Sequence, residues 1–147
     1  MKNAEPYLIF DGNCAKAFAF YETVFNAKTA SITYYKDIPS TTEEISADDM
    51  ERVVHVILPI SKEVSLMGAD CTTKMKNTVG DNVWLTLNAE SADEAREVFE
   101  RLSENGKIVM PLEKTFWAEL YGMLTDKLGI CWMINYQDPN SIGECGM

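Results

Sequence analysis

The sequence predicts an α+β fold made of two tandem copies of one βαβββ unit, and three observations support this prediction. The predicted elements run in the same order, a strand, a helix and three strands, in both halves of the chain. The two predicted helices align at an offset of about 78 residues, where Ala17 falls on Ala95 and Tyr21 on Phe99. The apolar stretch 115–136 has two runs with aromatic and β-branched residues joined by a polar turn, which is typical of paired strands.

Length and charge limit the class of protein. The chain has 147 residues, enough for one domain with its own core, and a formal net charge of −10 from 23 acids and 13 bases. Such a charge argues against nucleic-acid binding, which needs clustered Lys and Arg, and it favours neutral or cationic ligands. The N-terminus reaches charge and proline before any long apolar run, so we expect neither a signal peptide nor a membrane span. The four cysteines form no C-x-x-C pair, which favours reduced thiols in a cytoplasmic protein.

The first unit is expected to span about residues 5–70. A strand at Pro6–Phe10 ends at the turn Asp11–Asn13, and apolar residues at helical spacing follow. Asn13 stands at the N-cap position of that helix, where its side chain is suited to accept a backbone hydrogen bond. The elements expected next are a helix at Cys14–Asn26, a strand at Thr29–Lys36, an acidic solvated loop at Asp37–Glu51 and hairpin strands at Arg52–Ile60 and Glu63–Ala69.

The second unit is expected to span about residues 82–136, after a polar connector. Ser91 with Glu94 three residues later is a capping box that predicts a helix start, and Asn105–Gly106 predicts the helix end. The tail 137–147 is polar, and we expect it to be frayed. Strands are expected at Asn82–Asn88, Lys107–Leu112, Trp117–Thr125 and Ile130–Tyr136.

Three stretches carry a resemblance to a known family: PYLIFDGNCAKAFAFYETVF, VVHVILPI and GKIVMPLEKTFWAELYGMLTDKLGICWMINY. They resemble the vicinal oxygen chelate superfamily of glyoxalase, fosfomycin-resistance and bleomycin-resistance proteins. Within it they resemble the PhnB-like branch, often labelled 3-demethylubiquinone-9 3-methyltransferase. The resemblance implies that residues 1–147 form a single glyoxalase/bleomycin-resistance-like domain. In that fold the eight strands form a cup-shaped mixed sheet, with the helices on its outer face and a ligand cavity within.

The residues themselves do not support methyl transfer. A nucleotide-type cofactor on a doubly wound sheet needs a glycine-rich turn between a strand and a helix. The one turn of that kind in this chain, FDGNC, has a single glycine. No stretch resembles an S-adenosylmethionine-binding motif, so we expect neither methyltransferase activity nor a cofactor.

Alternation along the strands separates a face toward the helices from a face toward the cup. The residues expected on the helix face are Leu8, Phe10, Val54, Val56, Leu58, Val83, Leu85, Leu87, Ile130, Trp132 and Ile134. Those expected on the cup face are Glu5, Tyr7, Ile9, Val53, His55, Ile57, Asn82, Trp84, Thr86, Cys131, Met133 and Asn135.

Aromatic residues on the cup face predict a wall on which a planar ligand stacks. Trp117 and Tyr121 alternate onto one side of their predicted strand. The same rings would also suit a packed core or a subunit interface, and alternation leaves these alternatives open. The ligand-binding residues we predict are Tyr7, His55, Trp84, Trp117, Tyr121 and Met133.

His55 is the only histidine, and the resemblance places it at a metal-ligand position. The other ligand positions of the superfamily fall on Glu5, Asn82 and Met133, so the chain has a thioether where metal-dependent members have His or Glu. Divalent ions of this kind prefer His and carboxylate ligands, so His55 and Glu5 form an incomplete set. Two interpretations stay open: a divalent metal held by His55 and Glu5, or a histidine that hydrogen-bonds to solvent, Glu5 or a ligand.

Three side chains are candidates for chemistry. His55 would be catalytic through a bound ion. Glu119 lies among aromatic residues, where burial would suit it to act as a general base; the alternative is a solvated carboxylate. Cys14 begins a helix, a position that lowers the pKa of a thiol, and the alternative is a packed small residue.

These observations give two main functional hypotheses. The first is a PhnB-like protein that binds a small apolar or aromatic molecule in the cup. The second is a metal-dependent glyoxalase-type lyase or transferase, in which His55 and Glu5 hold an ion that polarises a substrate oxygen. A third hypothesis is an interaction module whose cavity is closed by side chains.

We predict a homodimer. The resemblance implies pairing, and the apolar stretches Leu120–Leu124 and Ile130–Ile134 need a neighbour if either lies at a sheet edge. Two chains of net charge −10 repel each other at long range, so their contact should be mostly apolar and should survive added salt. Sedimentation in low and high salt should show the dimer, and a monomer in both buffers would contradict it.

Overall fold

The computed structural model describes residues 1–39 and 45–141 and divides into two compact units, Met1–Thr78 and Val79–Met147. Each unit is described on its own. Part of the predicted acidic loop, residues 40–44, lies outside the described residues, as do residues 142–147 of the predicted tail. The described end of the chain includes a short 3₁₀ helix at Pro139–Ser141.

The first unit is a four-stranded mixed sheet covered on one face by a helix. Its strands lie in the order β1-β4-β3-β2, with β1 parallel to β4 and the other pairs antiparallel. The elements are β1 (Tyr7–Phe10), α1 (Cys14–Phe25), β2 (Ser31–Tyr34), β3 (Val53–Pro59) and β4 (Ser65–Asp70), with 3₁₀ helices at Tyr35–Asp37 and Ala47–Asp49. The core between helix and sheet contains Leu8, Phe10, Ala17, Phe18, Tyr21, Val24, Val56, Leu58 and Leu66.

The second unit repeats this plan, which confirms the predicted α+β fold of two βαβββ units. Its strand order is β5-β8-β7-β6, with β5 parallel to β8. The elements are β5 (Leu85–Asn88), α2 (Ala92–Ser103), β6 (Lys107–Glu113), β7 (Leu120–Thr125) and β8 (Cys131–Tyr136). The two helices have 12 residues each. No helix within residues 1–39 and 45–141 combines the length and the apolar character of a membrane span.

A glycine allows close packing of helix on sheet in each unit. A Cβ atom at Gly68 of β4 would lie 2.6 Å from a ring carbon of Phe18 in α1. A Cβ atom at Gly122 of β7 would lie 2.7 Å from a ring carbon of Phe99 in α2. Both separations are too short for ordinary packing, so these two strand positions need glycine.

The N-terminus of α1 differs from the prediction. Asn13 occupies the N-cap position, but its side chain makes no capping hydrogen bond. The buried carboxylate of Asp70 performs that role, because its Oδ1 atom accepts from the backbone N–H groups of Cys14 at 3.0 Å and Gly12 at 2.8 Å. The cap therefore comes from the end of β4.

The N-terminus of α2 follows its prediction more closely. Ser91 Oγ accepts from the backbone N–H of Glu94 at 3.0 Å. The carboxylate of Glu94 reaches one residue further back than the capping box requires and accepts from the N–H of Glu90 at 2.9 Å.

The alternation of side chains along the strands predicted the wrong face or burial at two places. Val53 is fully buried while Val54 is half-buried, because the pairing with β2 passes from His55 to Val53 and leaves Val54 as the extra residue of a β-bulge. Val83 was expected on the helix face but is 72% exposed, since β5 begins only at Leu85. Elsewhere Leu8, Phe10, Trp132 and Ile134 are buried as predicted.

The acidic loop includes an anchored residue that the prediction of a solvated loop missed. Asp49 is 4% exposed, and its Oδ1 atom lies 3.3 Å from Nε of Arg52. The same carboxylate accepts hydrogen bonds from the backbone N–H and the hydroxyl of Thr73. Arg52 also contacts Asp11 at 2.8 Å, so these charges join the loop to the ends of β1 and β3.

Neither of the two apolar stretches considered for a subunit contact lies at a sheet edge. Strands β7 and β8 occupy the two interior positions of their sheet, where each is paired on both sides. The apolar character of Leu120–Leu124 and Ile130–Ile134 is explained by that interior position. The homodimer stays a prediction that rests on the resemblance.

Trp132 generates a test of the strand register. Its side chain is fully buried, and its Nε1–H donates to Oδ2 of Asp126 at 2.9 Å, whereas Trp117 is only half-buried. Trp132→Ala should lower the free energy of unfolding by about 3–5 kcal/mol, and Trp117→Ala should lower it clearly less. Urea melts of the two variants give the comparison; the reverse order would show that the face assignment of β8 is wrong.

Candidate functional site

The face of the first sheet that points away from α1 carries two of the residues predicted to bind a ligand, Tyr7 and His55. Tyr7 is paired with Met67, and Met67 with Ile57, so these side chains point the same way. His55 lies two residues before Ile57 on β3 and therefore shares this face. Tyr7 and Ile9 are 45% and 43% exposed on this face. The polar residues that strand pairing places on this face are Tyr7, Ser31, Thr33, His55 and Ser65, and the apolar ones are Ile9, Ile57, Pro59, Met67 and Ala69.

Tyr7 and His55 form one contact pair across the sheet. The hydroxyl of Tyr7 lies 3.0 Å from Nδ1 of His55, and the two rings are stacked with centroids 5.7 Å apart and an interplanar angle of 27°. The two side chains come from β1 and β3, which flank β4. Burial raises the pKa of Tyr7, and the neighbouring Cys14 and Tyr35 raise it further, so the hydroxyl keeps its hydrogen at neutral pH.

Glu5, the second predicted metal ligand, is engaged elsewhere. Its Oε2 atom accepts a hydrogen bond from the backbone N–H of Ser65 at 2.9 Å, at the start of β4. Among the residues that the structure describes, no hydrogen bond or ion pair joins Glu5 to His55, and no group of three or more His, Cys, Asp or Glu is arranged to hold a metal ion. Metal binding by this pair stays a prediction.

The second unit brings Trp117, Tyr121 and Met133 together. The hydroxyl of Tyr121 donates to Sδ of Met133 at 3.1 Å, and the rings of Trp117 and Tyr121 meet edge to face with centroids 5.3 Å apart. The hydroxyl of Thr86 is a further donor to the same sulfur, at 3.8 Å. The Met133 thioether thus accepts from two hydroxyl groups, which leaves it poorly suited to bind an ion.

Trp84 and Glu119 lie outside this group. β5 begins after Trp84 and β7 after Glu119, so neither occupies the predicted strand position. The Nε1–H of Trp84 donates to the carbonyl oxygen of Asp81 at 2.8 Å, and the described contacts include no ring partner for it. Glu119 is exposed, so the burial that a general base would need is absent.

Asn135 is a polar residue on this face that the site prediction did not include. It is paired with Tyr121 on β7 and with Asn88 on β5, and its Nδ2 donates to Oδ1 of Asn88 at 3.0 Å. Its own Oδ1 is buried and has no hydrogen-bond partner in the described part of the chain. The signal in the sequence was an amide side chain within an apolar strand.

Cys14 does not have the reactivity that a helix N-terminus suggests. Its thiol is fully buried, and burial, together with the nearby Asp70 carboxylate, raises the pKa of Cys14 to about 12. The expectation of a lowered pKa was wrong, because desolvation outweighs the helix position. Cys14, Cys71 and Cys131 are free thiols, whereas Cys145 lies outside the described residues.

Comparison with known proteins covers nearly the whole chain. The model of the family "Glyoxalase/Bleomycin resistance protein/Dioxygenase superfamily" matches residues 4–134. Protein YjdN of Escherichia coli K12 is 30% identical, over 88% of this chain and 92% of its own. The crystal structure of protein PA1353 from Pseudomonas aeruginosa is 32% identical with a TM-score of 0.82, covering 92% of this chain and 97% of that one. The PhnB protein of Bacillus cereus is 23% identical with a TM-score of 0.73, over 91% and 98% of the two chains, and shows the fold alone.

The raised pKa of Cys14 predicts a pH dependence of stability. Above about pH 9 the unfolded chain loses the thiol proton while the folded protein keeps it, so the folded state binds more protons. The free energy of unfolding should therefore fall as pH rises from about 9 toward 12. Urea melts at about pH 8 and pH 10 should show a smaller fall for Cys14→Ala than for the wild type. Equal falls in the two proteins would contradict the assignment.

Proposed function

Because the chain belongs to the glyoxalase/bleomycin resistance protein/dioxygenase superfamily, we propose that it binds a small apolar or aromatic molecule on the face of a sheet that points away from the helix of the same unit. One observation carries this proposal: the Tyr7–His55 pair, stacked and hydrogen-bonded on the face of the first sheet that points away from α1. The Trp117–Tyr121–Met133 group of the second unit supports it.

The chemistry of both groups suits a neutral, planar ligand. Aromatic rings provide large contact areas at low entropic cost, and a few placed polar atoms fix the orientation of what they contact. Neither group contains an acidic or a lysine or arginine side chain, so neither is built around an ion pair. The net charge of −10 further disfavours an anionic ligand.

The second hypothesis, a metal-dependent lyase or transferase, has less support from these contacts. Glu5 is bonded to Ser65, and the Met133 sulfur accepts from Tyr121 and Thr86. We propose that His55 acts by hydrogen bonding, that the protein needs no cofactor, and that it works as a cytoplasmic homodimer. The free thiols of Cys14, Cys71 and Cys131 support the cytoplasm as its compartment.

Binding of Nile red, an uncharged planar dye, tests the proposal. Tyr7→Ala and Tyr121→Ala should each weaken dye binding about three- to tenfold, since each removes one aromatic contact. Tyr34→Ala is the matched control: Tyr34 lies on the same sheet as Tyr7 but is paired with the buried Val53, so it points to the other face. Fluorescence titration of the four proteins gives the result. Equal affinities, or a loss only in Tyr34→Ala, would refute the proposal.

Metal analysis of the untagged protein tests the alternative. We expect zinc, nickel and manganese well below one equivalent, and the same content in wild type and His55→Ala. A nearly stoichiometric metal that disappears in His55→Ala would establish the lyase or transferase hypothesis instead.

A further inference from the structure

We propose that Tyr7 is a positioning residue that holds His55 in the tautomer with its hydrogen on Nε2, and that this N–H selects planar ligands bearing a carbonyl oxygen. The inference rests on the proposed function and names the class of ligand. The observation behind it is the Tyr7–His55 contact on the open face of the first sheet.

Either Tyr7 or His55 can be the donor in the hydrogen bond between them. In a neutral imidazole one ring nitrogen is a donor and the other an acceptor, so the 3.0 Å contact is either O–H donating to Nδ1 or Nδ1–H donating to the hydroxyl oxygen. A phenol is the better donor and an imidazole nitrogen the better acceptor, because the phenol is the more acidic and the imidazole the more basic. The stronger arrangement is therefore O–H to Nδ1, which leaves the ring hydrogen on Nε2.

The Nε2 atom of His55 is then an unused donor. Within residues 1–39 and 45–141 His55 makes one hydrogen bond, through Nδ1, and its Nε2 atom has no hydrogen-bond partner. Glu5 does not occupy the donor: its Oε2 atom accepts from Ser65, and no hydrogen bond joins it to His55 in the part of the chain that the structure describes. A ligand that covers this N–H without supplying an acceptor would leave it unsatisfied, which costs binding free energy.

The surroundings of the donor explain why the ligand should be planar. His55 and Tyr7 are stacked at 27°, so together they present ring surface to whatever lies on them. Strand pairing places apolar side chains beside them on this face, together with the hydroxyl groups of Ser31, Thr33 and Ser65. The apolar residues are Ile9, Ile57, Pro59, Met67 and Ala69. A ring N–H donor beside these rings and apolar side chains favours a flat molecule with an acceptor oxygen placed against Nε2.

The tautomer also separates this inference from the metal hypothesis. An ion on Nε2 needs the lone pair of that nitrogen, so the ring hydrogen would have to be on Nδ1 and donate to Tyr7. Ligand recognition through N–H needs the opposite arrangement. One spectroscopic observation on the protein without ligand therefore distinguishes the two.

The first experiment uses the fact that His55 is the only histidine. Protein labelled with ¹⁵N-histidine gives one imidazole in a long-range ¹H–¹⁵N spectrum. We expect a protonated Nε2 and an unprotonated Nδ1 in the wild type. Tyr7→Phe keeps the ring and removes the hydroxyl, so it should give a mixture of tautomers, while the control Tyr34→Phe should match the wild type. A wild type with hydrogen on Nδ1, or a Tyr7→Phe spectrum identical to the wild type, would overturn the inference.

The second experiment compares two ligands of the same shape, 1-indanone and indane, which differ by the carbonyl oxygen. The wild type should bind 1-indanone about three- to tenfold more tightly, the effect of one hydrogen bond. His55→Phe keeps an aromatic ring without the donor and should bind the two equally. Equal binding by the wild type would overturn this inference and leave the proposed function standing, whereas binding of neither compound would refute both.

Discussion

The buried carboxylate of Asp70 is the constraint on which the first unit depends. It accepts three backbone hydrogen bonds, from Gly12, Cys14 and Val53, at 2.8, 3.0 and 2.9 Å. These charge-assisted bonds offset the cost of burying a charge. They join the end of β4 to the start of α1 and to the first residue of β3. Because β4 lies between β1 and β3, this junction fixes the two strands that carry Tyr7 and His55.

The second unit also contains a buried aspartate that accepts backbone hydrogen bonds, but this one joins a different pair of elements. The buried carboxylate of Asp126 accepts from the backbone N–H groups of Leu128 and Ile130 and from the indole of Trp132. It therefore holds the turn between β7 and β8 and the largest buried side chain of that sheet. Tyr121 and Met133 lie on these two strands in diagonal positions, and the register that the turn fixes brings the hydroxyl of Tyr121 to the sulfur of Met133. In both units a buried aspartate lies at the end of a central strand, and the candidate ligand contacts follow from the strand positions that it fixes.

Local patterns in the sequence predicted the elements, and long-range contacts decided the details. Helical spacing and the Ser91 capping box placed α1 and α2 to within a residue or two, because both signals lie within the helix itself. The cap of α1 could not be predicted, since Asp70 is 56 residues away from Cys14 in the sequence. The bulge at Val54 could not be predicted for a similar reason, because it depends on how β3 pairs with β2. The alternation of side chains along a strand placed Tyr7 and His55 on one face but could not give the distance between them. The same rule gave wrong positions for Trp84 and Glu119, because β5 and β7 begin after these residues.

The central claim is that the Tyr7–His55 pair recognises a ligand directly, through ring contact and the Nε2–H of His55. A crystal structure of the protein soaked with 1-indanone tests it most directly. We expect the ligand ring to lie against Tyr7 and His55, with its oxygen within hydrogen-bond distance of Nε2. A ligand bound elsewhere on the chain, or a metal ion coordinated by Nε2, would contradict it.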